Sequence, residues 1–453
     1  MSIISKSIAC VLLLASLLTG NSGISEIRVS EERQEQTNDA PERVSKEAVP
    51  ARIAFTSNRQ LWLLDGSDAE SKPVQVTKEG SAEIVGWSHD GEWLLYVCYP
   101  EGDLYDPNRF LWAVNKDGSK SFQIDDRPIL ANPKWSPTSL QFAYVAGAGS
   151  GQEGKDEFIV KEIRDGKVLT VSQSAADFAD FAWMPDGRQF LVSLSATAER
   201  PMTLAFRQLS GEQTAVFPIA EKPDAGEDIY PWAPVGMQVS PNGRLVAYYV
   251  RYNAASLSAD GVPVQLFDLG RPTEMPIPIG SGLAYPKWLS WAPDGSRLAF
   301  IEGTGREATE GKRLRVVDRS GNVVHETEED KTASFPVWTL DEPFHLYFAG
   351  GTGVSYPDGY EEHQVLVPGQ RIVKLDDNGT MHQVTHGTDR TADLFPSPAP
   401  DGKQLLFVRL DEMDRGSLFL LKNGTESELV RSLTGSPGYY ANYLPKWTAV
   451  YWE

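Results

Sequence analysis

From Ala51 onward the apolar positions fall into two alternating patterns. The first is clearest in Trp291-Ala-Pro-Asp-Gly-Ser-Arg-Leu-Ala-Phe-Ile301. It predicts a strand end, a tight turn at Pro293-Asp294-Gly295, and a second strand that is almost wholly apolar. Copies of it begin at Trp87, Trp135, Trp183, Val239, Trp338 and Pro398, and a truncated copy is Pro445-Lys446-Trp447. The second pattern is an alternating strand that ends in a glycine turn. It recurs from Leu61-Trp-Leu-Leu-Asp-Gly66 through to 418–424, at a spacing of roughly 50 residues, which marks an array of blade-like units.

Each period therefore predicts two hairpins, that is, four strands in the order A, B, C, D. Asp-Gly or Asn-Gly at a two-residue turn supplies the positive φ angles that a tight hairpin needs. Strand B is continuous in apolar residues, as in Leu245-Val-Ala-Tyr-Tyr-Val250. A strand reads this way when both its faces are covered. A 3.6-residue period is not sustained anywhere after Ala51, so helices should be few. The first unit, from Arg52, has B, C and D but no A, whereas the chain end has A alone. Joining them completes a blade and removes two open sheet edges. The expected fold class is all-β: a single β-propeller of four-stranded antiparallel blades, eight in number, with seven as the alternative if the loose copy at Trp338 is not a full blade. The C-terminal strand pairs with the N-terminal blade.

The segment before the repeats has a different character. Residues 1–23 read as a signal peptide, with Lys6 before the short apolar run Ile8 to Leu18 and small residues following. Residues 24–50 are polar and poor in apolar side chains, the composition of a flexible leader. The propeller is assigned to 51–453. Export follows, to the extracellular, periplasmic or cell-wall side of a membrane, and the mature chain has no transmembrane segment. It then keeps one cysteine, Cys98, so its stability rests on the core rather than on disulfides. The formal charge of −20 makes nucleic-acid binding an unfavourable function.

The Trp-Ser-Pro-Asp-Gly-x-x-Leu-Ala-Phe pattern, which runs through the whole of 51–452, resembles the WD-repeat-like modules of TolB-type propellers. It is also similar to the propeller half of prolyl-oligopeptidase-like proteins. The resemblance implies the fold and leaves the function open. A TolB protein carries an α/β domain before six blades, which has no counterpart in this reading. The hydrolase half of the oligopeptidases carries Gly-x-Ser-x-Gly, and that pentapeptide does not occur here.

Several stretches invite a chemical reading. His382 and His386 are four apart, a zinc spacing on a helix, but they fall in a predicted strand D and too far apart to chelate. Asp376-Asp377-Asn378-Gly379 has the oxygen ligands of a calcium loop without its distant Glu, and reads as a C–D turn. Gly147 to Gly154 lacks the Lys and helix of a phosphate loop. The repeated tryptophans read as wedges between blades, while Trp232 and Trp288 lie off that position. No catalytic residue, metal site or cofactor is assigned.

Connection length is the most informative feature. Insertions accumulate in B–C and D–A connections, at 99–109, 146–156, 221–232, 251–263, 302–312 and 350–371. In an up-and-down blade these emerge on one face, and insertions on one face of a repeat array mark a binding face. The candidate ligand-binding residues there are Tyr105, Asp106, Arg109, Trp232, Arg251, Tyr252, Tyr356, Asp358 and Tyr360. The expectation is a monomeric, exported, non-catalytic propeller whose loop face binds an unknown protein, peptide, glycan or other envelope component. The alternative is a propeller enzyme of lactonase, lyase or glycoside-hydrolase type, with acidic residues around the central channel.

Overall fold

The turn motif builds its own hairpin. In a computed structural model of the chain, Ala292 donates its N–H to Arg297 O at 2.9 Å, and Gly295 donates to Ala292 O at 2.8 Å. Only Gly295 takes a positive φ, +65°. The turn at 292–296 is thus longer than the two-residue hairpin expected from Asp-Gly. Proline opens a type I-like bend, the Asp294 carboxylate accepts Ser296 N–H at 2.9 Å, and glycine closes it. Where the motif has serine, the hydroxyl ties the turn down. Ser88 donates to Asp90 Oδ1 at 2.6 Å and accepts Trp93 N–H at 3.0 Å.

The structure describes residues 40–147, 155–224, 226–361, 363–443 and 447–453. The signal peptide read at 1–23, the leader up to residue 39 and the glycine-rich segment 148–154 lie outside them. The described chain forms eight antiparallel sheets, one per blade, seven of four strands and one, blade 8, of four plus an added fifth. In blade 2 the strands are Ser81–Trp87, Trp93–Tyr99, Phe110–Asn115 and Ser121–Gln123, paired in sequence order. The loose copy at Trp338 is a full blade, Lys331–Trp338 through Met381–Gln383. Strands B are the buried ones: Leu298, Ala299, Phe300 and Ile301 expose nothing, because each sheet is covered by a neighbour on either side. Helix is confined to Ala255–Ala259 and a 3₁₀ turn at Pro286–Trp288, and no helix among the described residues is long and apolar enough to cross a membrane.

Closure is as the ends require. Strand Thr448–Trp452 pairs with Ala51–Ser57, with Ala449 opposite Ala54 and Val450 opposite Ile53. This register corrects the truncated copy at Trp447. Trp291 sits opposite Leu298, and Val450 holds the equivalent place opposite Ile53. Trp447 comes before the strand, fully buried, with its indole donated to Ser436 O at 3.3 Å.

The motif tryptophans are wedges with a fixed hydrogen bond. Each donates Nε1 to the A strand of the preceding blade, at the residue just before that blade's own motif position. Trp87 reaches Ala449 O at 3.1 Å, Trp135 reaches Gly86 O at 2.9 Å, and Trp183 reaches Lys134 O at 3.0 Å. Trp291 reaches Gln238 O at 3.0 Å, and Trp338 reaches Ser290 O at 3.1 Å. Blades 1, 5 and 8 carry Val450, Val239 and Pro398 there, so they have no indole to offer at that position.

Part of the leader is built into the body. Glu42–Arg43 adds a fifth strand outside Thr425–Thr434 of blade 8, Val49 is fully buried, and the Arg43 guanidinium spans to carbonyls of Asp68 at 2.7 Å and Glu47 at 2.8 Å. Segment 40–50 therefore straps blade 8 to blade 1. Its composition hid this, because the strap is held by backbone pairing and one arginine rather than by an apolar stripe.

Candidate functional site

The two faces of the ring differ as connection lengths predict. On one face lie the A–B and C–D turns, which are short apart from 66–73 and 269–276. The other face carries the B–C loops 100–109, 253–261, 303–312 and 353–370, and the D–A loops 219–230 and 435–447.

The longest D–A connection crosses from blade 8 to blade 1 and is seated on loops from three other places in the ring. Ala308 donates its N–H to Tyr440 O at 3.0 Å, and Arg306 donates to Tyr440 Oη at 3.3 Å. The Arg306 guanidinium stands over the Tyr440 ring at 5.9 Å and is paired with Asp260 from the blade 5 loop. Tyr105 from blade 2 lies against the backbone of Tyr439, and Tyr285 bonds the Asn442 side chain. Tyr439 and Tyr440 meet edge to face at 4.8 Å. From blade 7, Tyr356 and Tyr360 pack at 5.0 Å, and the Tyr360 hydroxyl bonds the Glu307 carboxylate. Burial and that carboxylate push the Tyr360 phenol well above its usual range. With buried Tyr443, seven of the chain's 16 tyrosines gather at this mouth. Tyr105 and Tyr439 are its exposed members, at 63% and 60%.

Next to Tyr443 lies a cluster of apolar side chains. Phe395 packs on Phe335 at 4.7 Å, on Trp447 at 6.2 Å and on Tyr443 at 6.3 Å. Phe335, Phe395, Ala441 and Tyr443 all have φ between 51° and 59°. Such angles are unusual for bulky residues, cost about 1–3 kcal/mol each, and persist only where packing over-determines them.

Along the A strands lies a cavity of about 610 Å³, lined by residues such as Trp87, His89, Gln238, Lys287, Ser290 and Tyr451. No carboxylate lines it among the described residues. The A-strand acids are turned into the ring wall instead. Glu83 accepts Tyr99 Oη–H at 2.6 Å, Asp180 pairs with Lys134 at 3.1 Å, and Asp393 is fully buried against Arg409 at 2.7 Å.

The nine candidate residues divide into three groups. Tyr105, Tyr356 and Tyr360 join the mouth cluster, and Asp358 is exposed on the same loop as the latter two. Asp106 accepts Asn108 N–H at 2.7 Å within its turn, and Arg109 spans blades 2 and 3 through Ile129 O at 3.3 Å and Asn132 Oδ1 at 3.3 Å. Trp232, Arg251 and Tyr252 form a separate group on blade 5. They lie in strands Pro231–Val239 and Leu245–Tyr252 rather than in loops, since this hairpin extends further toward the loop face, and Arg251 stands over Trp232 at 5.8 Å. Trp288, the other off-register tryptophan, is buried core.

Residues 439–443, Tyr285, Arg306 and Glu307 were missed by sequence reasoning. The signal was Gly435-Ser-Pro-Gly438 directly before two tyrosines, a turn sequence that marks a connection and not the run-in of a strand.

Metal chemistry finds no frame: among the described residues no group of three or more His, Cys, Asp or Glu could hold an ion. His382 pairs with Asp376 at 3.2 Å, while His386 donates its backbone N–H to the Glu426 carboxylate. Asp376 caps the turn through Thr380 N–H at 2.8 Å.

Fold and mouth together define an eight-bladed β-propeller with a loop-built crown on one face. No protein-family model matches the chain. A 177-residue stretch is 24% identical to an uncharacterized peptidase, YuxL, of Bacillus subtilis strain 168, over 32% of this chain and 26% of that protein. The chain thus matches about a quarter of its relative's length. Among solved structures it is similar to TolB from Acinetobacter baumannii, at 16% identity and a TM-score of 0.37 over 62% of this chain and 64% of that one. It is also similar to a prolyl endopeptidase, at 10% identity and a TM-score of 0.47 over 85% of this chain and 50% of that one.

Proposed function

We propose that this propeller is an exported, non-catalytic binding module that engages a protein or peptide partner through its loop face. The observation that carries the reading is the asymmetry of the ring. The connections at 100–109, 303–312, 353–370 and 435–447 converge on one mouth, whereas the opposite face has mostly minimal turns. Tyrosine and arginine are common anchors of interfaces, and two exposed tyrosines stand at that mouth.

The test blocks one face at a time. In a Cys98→Ser background, Asp358→Cys and Ser320→Cys each take a maleimide–polyethylene glycol, the first on the loop face and the second on the turn face. Capture of a partner from the exported fraction of the source cell is expected to fail for the first and survive for the second. The opposite pattern overturns the reading.

A further inference from the structure

The tyrosine mouth carries a charge pattern that narrows its partner. Tyr105 and Tyr439 come from opposite ends of the sequence yet touch, and they remain the most open rings of the cluster. Tyr440 stands beside them, edge to face with Tyr439. The carboxylates near the rings of this cluster are Asp103 beside Tyr105, Glu307 on the Tyr360 hydroxyl and near Tyr285, and Glu361 near Tyr356. Of the cations nearby, Arg306 is paired with Asp260, the Lys312 ammonium donates to Thr304 O at 2.9 Å and Glu310 O at 3.1 Å, and the Arg59 guanidinium lies beside Gly102. The mouth is therefore aromatic, with carboxylates close to its rings, on a chain whose formal charge is −20.

One guanidinium already uses this chemistry. Arg306 stands over the Tyr440 ring and donates to its hydroxyl. A ring face attracts a cation through its quadrupole, and the attraction grows when carboxylates stand behind the ring. Tyr105 and Tyr439 are the exposed rings of the cluster and are open to the same contact.

We propose that this crown is a receptor for a basic side chain: the partner of the loop face is a protein or peptide segment that presents an exposed arginine or lysine, taken at Tyr105 and Tyr439 beside the Asp103 carboxylate. The proposal rests on the loop-face reading and adds the chemistry of the partner. It also explains why the leading loop residues are tyrosines. A tyrosine gives a cation a π face.

The test uses full-length protein and three defined peptides: acetyl-Gly-Arg-Gly-Arg-Gly-amide, the same peptide with citrulline for arginine, and the same peptide with glutamate. Binding is read by calorimetry at low salt and at about 150 mM salt, where an interaction between exposed charges weakens. Saturable binding of the arginine peptide is expected, tighter than the citrulline peptide by about fivefold or more, the scale of a cation–π contact. The Tyr105→Leu/Tyr439→Leu double variant keeps apolar area and removes both rings. It should lose that preference with an unchanged melting temperature. Asp103→Asn, which leaves the rings in place, should flatten the salt dependence.

Equal affinity for arginine and citrulline peptides overturns the proposal. So does a double variant that binds as the wild type does, or no saturable binding up to about 1 mM, the weak end of specific recognition. If those results come while the glycol on Asp358→Cys still blocks capture, the loop face stands and its cation chemistry falls. If that glycol leaves capture intact, both fall.

Discussion

Trp87 Nε1 donates to Ala449 O at 3.1 Å, joining two residues 362 positions apart in the chain. The same bond, made within the continuous chain, links Trp135 to Gly86 and Trp291 to Gln238. The seam where the two ends of the protein meet is thus built like the other seams. Removing 448–453 takes away the inner strand of blade 1 and opens two buried edges. The truncated protein should lose its cooperative melting transition. Trp87→Phe should keep the fold and lose about 0.5–1.5 kcal/mol, the net worth of one hydrogen bond. A truncated protein that melts like the full chain would show that this seam does not hold the ring.

Gly295 is forced to φ +65°, and a Cβ there would stand 3.3 Å from Asn242 Nδ2 of the neighbouring turn. Gly295→Val should therefore destabilise by about 1–3 kcal/mol through backbone strain. A denaturant midpoint equal to the wild type's would mean that the turn can be rebuilt without a positive φ.

Arg43 donates to the backbone carbonyls of Ser45, Glu47 and Asp68 at 2.7–2.9 Å. Truncation to alanine leaves those carbonyls partly unmet, at a cost of about 1–3 kcal/mol. Arg43→Ala should make segment 40–50 open to limited proteolysis while the ring stays folded. Proteolysis at wild-type rates would count against the strap.

Asp125 sits at the connection between blades 2 and 3. Burial works against its charge, but hydrogen bonds from Arg127 at 3.0 Å and Tyr144 at 2.7 Å prevail and hold the carboxyl at about 2. A folded-state value below the unfolded value of about 3.9 gives stability that is full above pH 4 and lost as the pH falls toward 2. Asp125→Asn should lose roughly 1–3 kcal/mol at neutral pH and show a shallower loss of stability between pH 4 and 2. A parallel pH profile in the variant would show that Asp125 does not carry the effect.

Much of the architecture was legible because each repeat writes its turn and its buried strand into local sequence. The indole of Trp291 and the glycine of the same motif announce strand A and the turn directly. Register at the last strand was not legible. Trp447 and Val450 lie three apart, and only pairing to Ile53 decides which of them holds the motif place. The strap at 40–50 was hidden because one arginine replaces the apolar stripe that pattern reading looks for. At the mouth, Tyr105, Tyr356 and Tyr360 could be picked out by loop length alone. Tyr439 and Tyr440 could not, since what assembles the cluster is contact between blades distant in the chain. The loop at 353–370 also proved less expendable than its length implied: Val365, Leu366 and Val367 are buried, and Tyr356 donates to Leu366 O at 2.6 Å. Shortening it would damage the core, so point changes at the exposed tyrosines are the sounder probe.

The claim that the loop crown is the working face is tested most directly by hydrogen–deuterium exchange of the protein with and without its captured partner. Slowed exchange is predicted at 100–109, 303–311 and 435–443, with the turns at 292–296 and 376–380 unchanged. Slowed exchange confined to those turns, with the three loops unaffected, would contradict it.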